Sequence, residues 1–241
     1  MTSTSASIRP DEAQLAALNA RLAGVEAQEL IAWAASEYPG KLAISCSFGG
    51  PSGMVLLDLA LQVERSLPVI YVDTDYLFPE TYATVQTVEA RYGITPLAFR
   101  SALTPQTQEL LHGPALWQRD PDACCALRKV APMRVALSQF SAYLTGLRRD
   151  QASTRRETPL VQWDAQFGVL KLNPLAAWSE AEIWAYIVKH DLPYNPLHDR
   201  GYPSLGCTNC TRAVQPGEDP RAGRWSGTDK IECGLHAGNR D

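Results

Sequence analysis

Between residues 11 and 37 apolar side chains recur at helical spacing, first as Leu15, Leu18 and Leu22, then as Leu30, Ile31 and Ala34, with Gly24 between the two sets. The spacing predicts two short helices ahead of the core. KLAISCS is a continuous apolar run of the kind carried by a strand buried on both faces, and it leads through FGGPSG, read as a turn, into the helical pattern of MVLLDLALQVER. PVIYVDT followed by FPETYATVQTVEARYG repeats the strand-then-helix order, and ITPLAFR and SAYLTGL read as two more strands. The stretch between those two shows no clear period. WDAQFGVLKLNPL contains a further strand, and WSEAEIWAYIVKH is a helix opened by a capping box, with Ser179 at its N-terminus and Glu182 three residues on. Alternation of this kind predicts an α/β fold, a mostly parallel sheet with helices on both faces. From Asp191 onward the chain is rich in Pro, Gly and Cys, which predicts loop held down by something other than a large core.

Length and charge narrow the picture. A chain of 241 residues suits one large domain plus a tail. Its formal net charge of −4 provides no overall basic field for nucleic acid or an anionic membrane, so any anionic ligand must be held by a local cluster of cations. The polar opening MTSTSASIRPDEAQ lacks the pattern of a secretory signal, and no apolar run is long enough to cross a bilayer. The expected location is the cytoplasm, where six cysteines read as metal ligands or redox thiols in preference to disulfides.

Four features carry chemistry. SCSFGGPSG lies between a strand and a helix, where glycines admit an anion close to the backbone and free N–H groups favour negative charge; Ser47, Gly49 and Gly50 are the loop positions expected to face a phosphate. It is neither a Walker A loop nor a GxGxxG fingerprint, and Cys46 before it reads as a buried apolar residue. Cys124 and Cys125 are adjacent, and Cys207 and Cys210 form a CxxC pair; together they offer four sulfurs to zinc or to an iron-sulfur cluster, and their spacing does not choose between the two. Arg128, Lys129, Arg148, Arg149, Arg155, Arg156, Arg221 and Arg224 are candidates to converge on one anion. Cys233 stands near the chain's end with His236 three residues later, a thiol whose pKa a nearby cation could lower.

Taken together, SFGGPSG, DTDYLFPETY, CCALRKV, TGLRRDQASTR, NPLAAW, GYPSLGCTNC, RAGRW and ECGLH resemble the assimilatory, thioredoxin-dependent adenylylsulfate (APS) reductases of the PAPS reductase family, over about residues 41 to 236. The resemblance implies an adenine-nucleotide α-hydrolase-like fold over residues 1–218 and a mobile C-terminal tail, 219–241, that carries the catalytic cysteine. It also implies one 4Fe-4S cluster on Cys124, Cys125, Cys207 and Cys210. Cys233 would then be the nucleophile toward adenosine 5'-phosphosulfate, with reduced thioredoxin or glutaredoxin as the partner. Lys129 would link cluster and substrate, Arg221, Arg224 and His236 would bind the sulfate end, and Arg148 and Arg155 the nucleotide side; Asp73 and Asp75 follow a strand end and are weaker candidates. The alternatives are a PAPS reductase and a PP-loop ATP pyrophosphatase. Pro51 and Ser52 stand where the pyrophosphatase loop SGGxDS carries its acid, which argues against the latter. Oligomeric state stays open, a homo-oligomer included.

Overall fold

The computed structural model describes residues 9–235. Two helices, α1 (Glu12–Arg21) and α2 (Ala27–Glu37), precede the sheet, and Gly24 between them takes the left-handed φ of 79° that ends the first. Strand and helix then alternate through β1 (Leu42–Ser45), α3 (Pro51–Val63), β2 (Val69–Asp73), α4 (Pro79–Tyr92) and β3 (Leu97–Arg100). The helices α5 (Pro105–His112), α6 (Leu116–Arg119), α7 (Pro121–Cys125) and α8 (Ala131–Leu137) follow, the last two joined by a π-helical turn, Ala126–Val130. β4 (Ala142–Thr145), β5 (Val161–Asp164), β6 (Val169–Leu172) and α9 (Glu180–Lys189) complete the body.

The six strands lie in the order β3-β2-β1-β4-β6-β5, all parallel except the β5–β6 hairpin at one edge. Successive residues of a strand point to opposite faces, and the cores divide accordingly. Leu42, Ile44, Val69, Tyr71, Ala142 and Leu144 join α2, α3 and α9 in the larger core, while Ala43, Ile70 and Tyr143 turn to the other face and pack under Met133, Ala136 and Leu137 of α8. Both faces are covered, as the apolar strand runs require.

Helix α3 starts at Pro51, three residues before the apolar pattern begins. Proline at the first helical position costs no hydrogen bond and fixes a helical φ, so PSG forms the first turn and only residues 46–50 form the loop. The region without a clear period between β3 and β4 is helical. Its starts are marked by Thr104 and Asp120, each accepting a backbone N–H of the following turn and each followed by proline. Residues 191–235 are loop with two short 3₁₀ turns, Pro196–Arg200 and Thr208–Cys210. None of the described helices is long and apolar enough to cross a membrane.

Candidate active site

In the strand order, connections leave β1 toward β2 on one side and β4 lies on the other, so a crevice opens above the carboxyl ends of β1 and β4. The loop after β1 fills one wall of it. Phe48 takes a φ of 54°, a strained value for a non-glycine, with its ring buried against Tyr71. Two loop carbonyls are tied down from behind: Asn195 Nδ2 donates to Phe48 O at 3.3 Å, and His198 Nε2 lies 2.8 Å from Gly49 O. Beside a carbonyl that ring nitrogen is the donor, and burial holds the His198 pKa below its ordinary value, which suits the neutral tautomer. With carbonyls turned away, the amide N–H groups at the start of α3 are left for an anion. Arg148, buried, braces that start from below, its Nε donating to Ser52 Oγ at 2.9 Å.

The crevice deepens into a cavity of about 320 Å³. It is lined by Ser47, Gly49 and Gly50 of the loop, by Arg148 and Arg155, by Lys129 from the π turn, and by Arg221, Arg224 and Cys233 from the C-terminal segment. Every candidate substrate-binding residue that falls within the described residues therefore meets in one place; His236 lies outside them. Arg149 and Arg156 do not join it. Asp73 and Asp75 are engaged elsewhere, Asp73 with Arg100 and Tyr82, and Asp75 with Arg128. Cys46 lies under the loop, buried, with its thiol pushed up to about 12 by that burial.

Cys124, Cys125, Cys207 and Cys210 line a second, smaller cavity that shares Lys129 with the first. The π turn makes the sharing possible: it follows Cys125 directly and carries Arg128 and Lys129, both buried, on its inner side. All four thiols are unpaired as disulfides. Gln108 Nε2 approaches Cys124 Sγ at 3.9 Å, and Cys207 Sγ donates to Thr74 Oγ1 at 3.3 Å. Among the described residues no three His, Cys, Asp or Glu side chains converge on a point that one metal ion could fill. The cavity's walls are nonetheless suited to an anionic, sulfur-rich group: Arg128 Nη2 and Trp225 Nε1 are buried donors that find no hydrogen-bond partner among the described residues. Unsatisfied N–H groups aimed around a ring of thiols fit a cluster of negatively charged sulfurs.

Cys233 lines the first cavity and is buried. It is hydrogen-bonded to Cys125, and this bond, outweighing burial and aided by the Lys129 and Arg224 cations, holds its thiol well below the ordinary value. Lys129 is in turn held above its usual value: burial opposes this, but Cys207 and Cys233 prevail. The residue before the nucleophile candidate, Glu232, was not among the sequence-derived candidates, yet its carboxylate accepts from both Arg155 and Arg221. Its pKa falls to about 2, because those two cations overcome the upward pull of burial. An acid adjacent to a candidate cysteine, in a chain with arginines to spare, was the available signal. Asn195 and His198 left no such trace, since they act on backbone atoms.

A mostly parallel sheet with a glycine loop at its switch point and a cavity bearing several cations above it has the architecture of the adenine-nucleotide α-hydrolase-like folds. Residues 41–213 match the phosphoadenosine phosphosulfate reductase domain, and the chain belongs to that family. A relative from Halalkalibacterium halodurans named adenosine 5'-phosphosulfate reductase is 48% identical over 220 residues, spanning 91% of this chain and 95% of the relative. One of the same name from Salinibacter ruber is 43% identical over 229 residues, 95% of this chain and 90% of that one. Among solved structures, the phosphoadenylyl-sulfate reductase of Candida auris aligns over 86% of this chain and all of its own, with a TM-score of 0.75 and 31% identity. The FMN adenylyltransferase of Candida glabrata, at 18% identity and a TM-score of 0.54 over 88% of this chain and 71% of its own, shares the fold alone.

Proposed function

We propose that this chain reduces adenosine 5'-phosphosulfate to sulfite and AMP in sulfate assimilation, using reduced thioredoxin and passing through a thiosulfonate on Cys233. The observation that carries this reading is the position of the Cys233 thiol, in the same cavity as the phosphate loop and beside Lys129 and Arg224. The thiolate attacks the sulfur of the substrate, the bond from that sulfur to the bridging oxygen breaks, and AMP leaves with the electron pair on its phosphate oxygen. Cations around the cavity offset the charge that develops there. A thiolate of thioredoxin then attacks Cys233 Sγ, sulfite leaves, and the second thioredoxin thiol resolves the mixed disulfide, so two electrons pass from dithiol to sulfur. The segment from 219 onward would act as the mobile part, docked for the first step and open for the second.

Cys124, Cys125, Cys207 and Cys210 would hold the 4Fe-4S cluster, which supplies a fixed charge and a structural tie. A Cys125 thiolate committed to a cluster would no longer donate to Cys233, leaving Lys129, the Leu235 backbone and Arg224 to favour the Cys233 thiolate. The two cysteine pairs favour the substrate without a 3'-phosphate, whose added negative charge would need a further cation.

The test is sulfite release from adenylylsulfate and from its 3'-phosphorylated form, each with and without reduced thioredoxin, together with mass spectrometry of the reductant-free enzyme. An SO₃ adduct on the peptide containing Cys233 is expected. Cys233→Ser should keep its iron and bind AMP while making no adduct and no sulfite; sulfite from that variant would remove the mechanism.

A further inference from the structure

Both oxygens of Glu232 are fully engaged. Oε1 accepts from the backbone N–H of Cys233 at 2.8 Å, from Arg155 Nη2 at 2.8 Å and from Arg221 Nη2 at 3.0 Å. Oε2 accepts from Arg155 Nε at 2.9 Å and from Thr154 Oγ1 at 3.4 Å. The fork of Arg155 thus grips the carboxylate with two parallel bonds, the strongest geometry such a pair has. The contact is internal: 5% of the Glu232 side chain is exposed, against 11% for Arg155 and 17% for Arg221.

Those two arginines are cations the sequence assigns to substrate, and here a carboxylate of the chain itself holds them. An acid beside an incoming phosphosulfate would repel it. Paired with two guanidinium groups it does not, and Lys129 and Arg224, which also line the cavity, remain for the anion. The backbone around the nucleophile is secured on both flanks. Arg221 Nη2 also donates to Ile231 O at 3.2 Å, and Gln166 Nε2, from the β5–β6 turn, donates to Gly234 O at 3.1 Å. Gly234 lies so close to the π turn that an added Cβ would stand 3.2 Å from Val130. Each tie acts on the main chain within two residues of the thiol, and together they fix where Sγ points.

We propose that Glu232 is a positioning residue for Cys233: its carboxylate fastens the nucleophile's own peptide to Arg155 and Arg221, and those arginines serve the reaction by holding the tail closed. This rests on the reading of Cys233 as the nucleophile. The division of labour that follows assigns Lys129 and Arg224 to the substrate's charge and Arg155 and Arg221 to the tail.

The experiment uses cluster-loaded enzyme and follows adduct formation on Cys233 in a single turnover at saturating adenylylsulfate. Glu232→Gln keeps an acceptor for the Cys233 N–H but loses the charge, and its adduct should form about 10- to 100-fold more slowly, the cost of misplacing a reacting atom by about an ångström. Its iron content should be unchanged, its affinity for AMP within about twofold of wild type, and alkylation of Cys233 by iodoacetamide faster. In a cycle with Arg155→Met, the double variant should be no slower than the slower single one, because each partner acts through the other. Gln166→Ala, which removes the opposite tie without disturbing a buried charge, should show the same pattern and carries the test if Glu232→Gln loses its iron. Adduct formation at the wild-type rate in both variants would overturn the inference, as would additive effects in the cycle. A wild-type enzyme that forms no adduct at all would instead overturn the nucleophile reading, and this inference with it.

Discussion

Lys171 of β6 is buried at a point where Asp164 Oδ2 lies 3.9 Å away and the Tyr143 ring 6.0 Å away. Burial pulls its ammonium down to about 8, against Asp164, Glu232 and Cys233, which favour the charge. A base whose folded pKa lies below its unfolded value of 10.5 binds fewer protons in the native state between those two values, so stability rises with pH across that window. Below about pH 8 both states carry the charge and the cost of burying it is present in full, roughly 3 kcal/mol. Thermal unfolding of the wild type and of Lys171→Met from pH 7 to 10 should therefore diverge. The variant should lack the rise of the wild type through that range; parallel curves would mean that Lys171 titrates in its ordinary range. The position is one of charge held under the nucleophile segment, since the same lysine senses Arg155, Glu232 and Cys233.

Among the elements, β4 and α3 meet closely where one strand end rests on the helix start. A Cβ added at Gly146 would stand 2.9 Å from the backbone carbon of Ser52 and 3.0 Å from the nitrogen of Gly53, so the end of β4 rests directly on the first turn of the helix whose N–H groups face the cavity. Gly146→Ala has no flexible side chain to push aside and must shift that turn, at a cost of about 1–3 kcal/mol. We expect AMP binding weakened at least about tenfold, measured calorimetrically, with iron content unchanged, because the cysteine ring is built on other elements. Such contacts explain what the sequence conveyed and what it did not. The strand runs, the capping box at Ser179 and the break at Gly24 are local patterns, and each appears where its pattern lies. The helices around Cys124 and Cys125 were hidden because they are short and carry partial burial, and because the π turn shifts the apolar face partway through. At the site, the cysteines and arginines were visible as residue types. Which arginines hold Glu232 depends on pairs 77 and 11 residues apart in sequence, and no local pattern encodes that.

At the scale of the whole molecule, the chain from residue 191 to 235 buries few apolar side chains, Leu192, Leu197, Trp225, Cys207 and Cys233, with Tyr194, Tyr202 and Leu235 partly buried against the body. Much of its hydrogen bonding is internal, as in the Thr211–Arg224 bridge and the bond from Trp225 N to Cys210 O. Links to the body include Thr208 N to Tyr76 O at 2.8 Å and Cys207 Sγ to Thr74 at 3.3 Å beside the CxxC pair, and the Glu232–Arg155 pair beside Cys233. On the reading that these cysteines hold a cluster, ligation would seat the part of the segment around Cys207 and Cys210, because a metal bound only in the folded state adds its binding free energy to folding. Cys207→Ala should lose iron, and hydrogen exchange should then quicken by at least about tenfold across residues 202–235 while β1, β2 and β4, buried on both faces, keep their protection. Adduct formation on Cys233 should fall with it even though the nucleotide loop is intact, since Lys129, Arg224 and the nucleophile are held against one another only when the segment is seated. Uniform loss of protection, extending into β1 and β4, would mean that the cysteines support the sheet itself; unchanged exchange in an iron-free variant would mean that packing alone seats the segment and the cluster serves chemistry or charge.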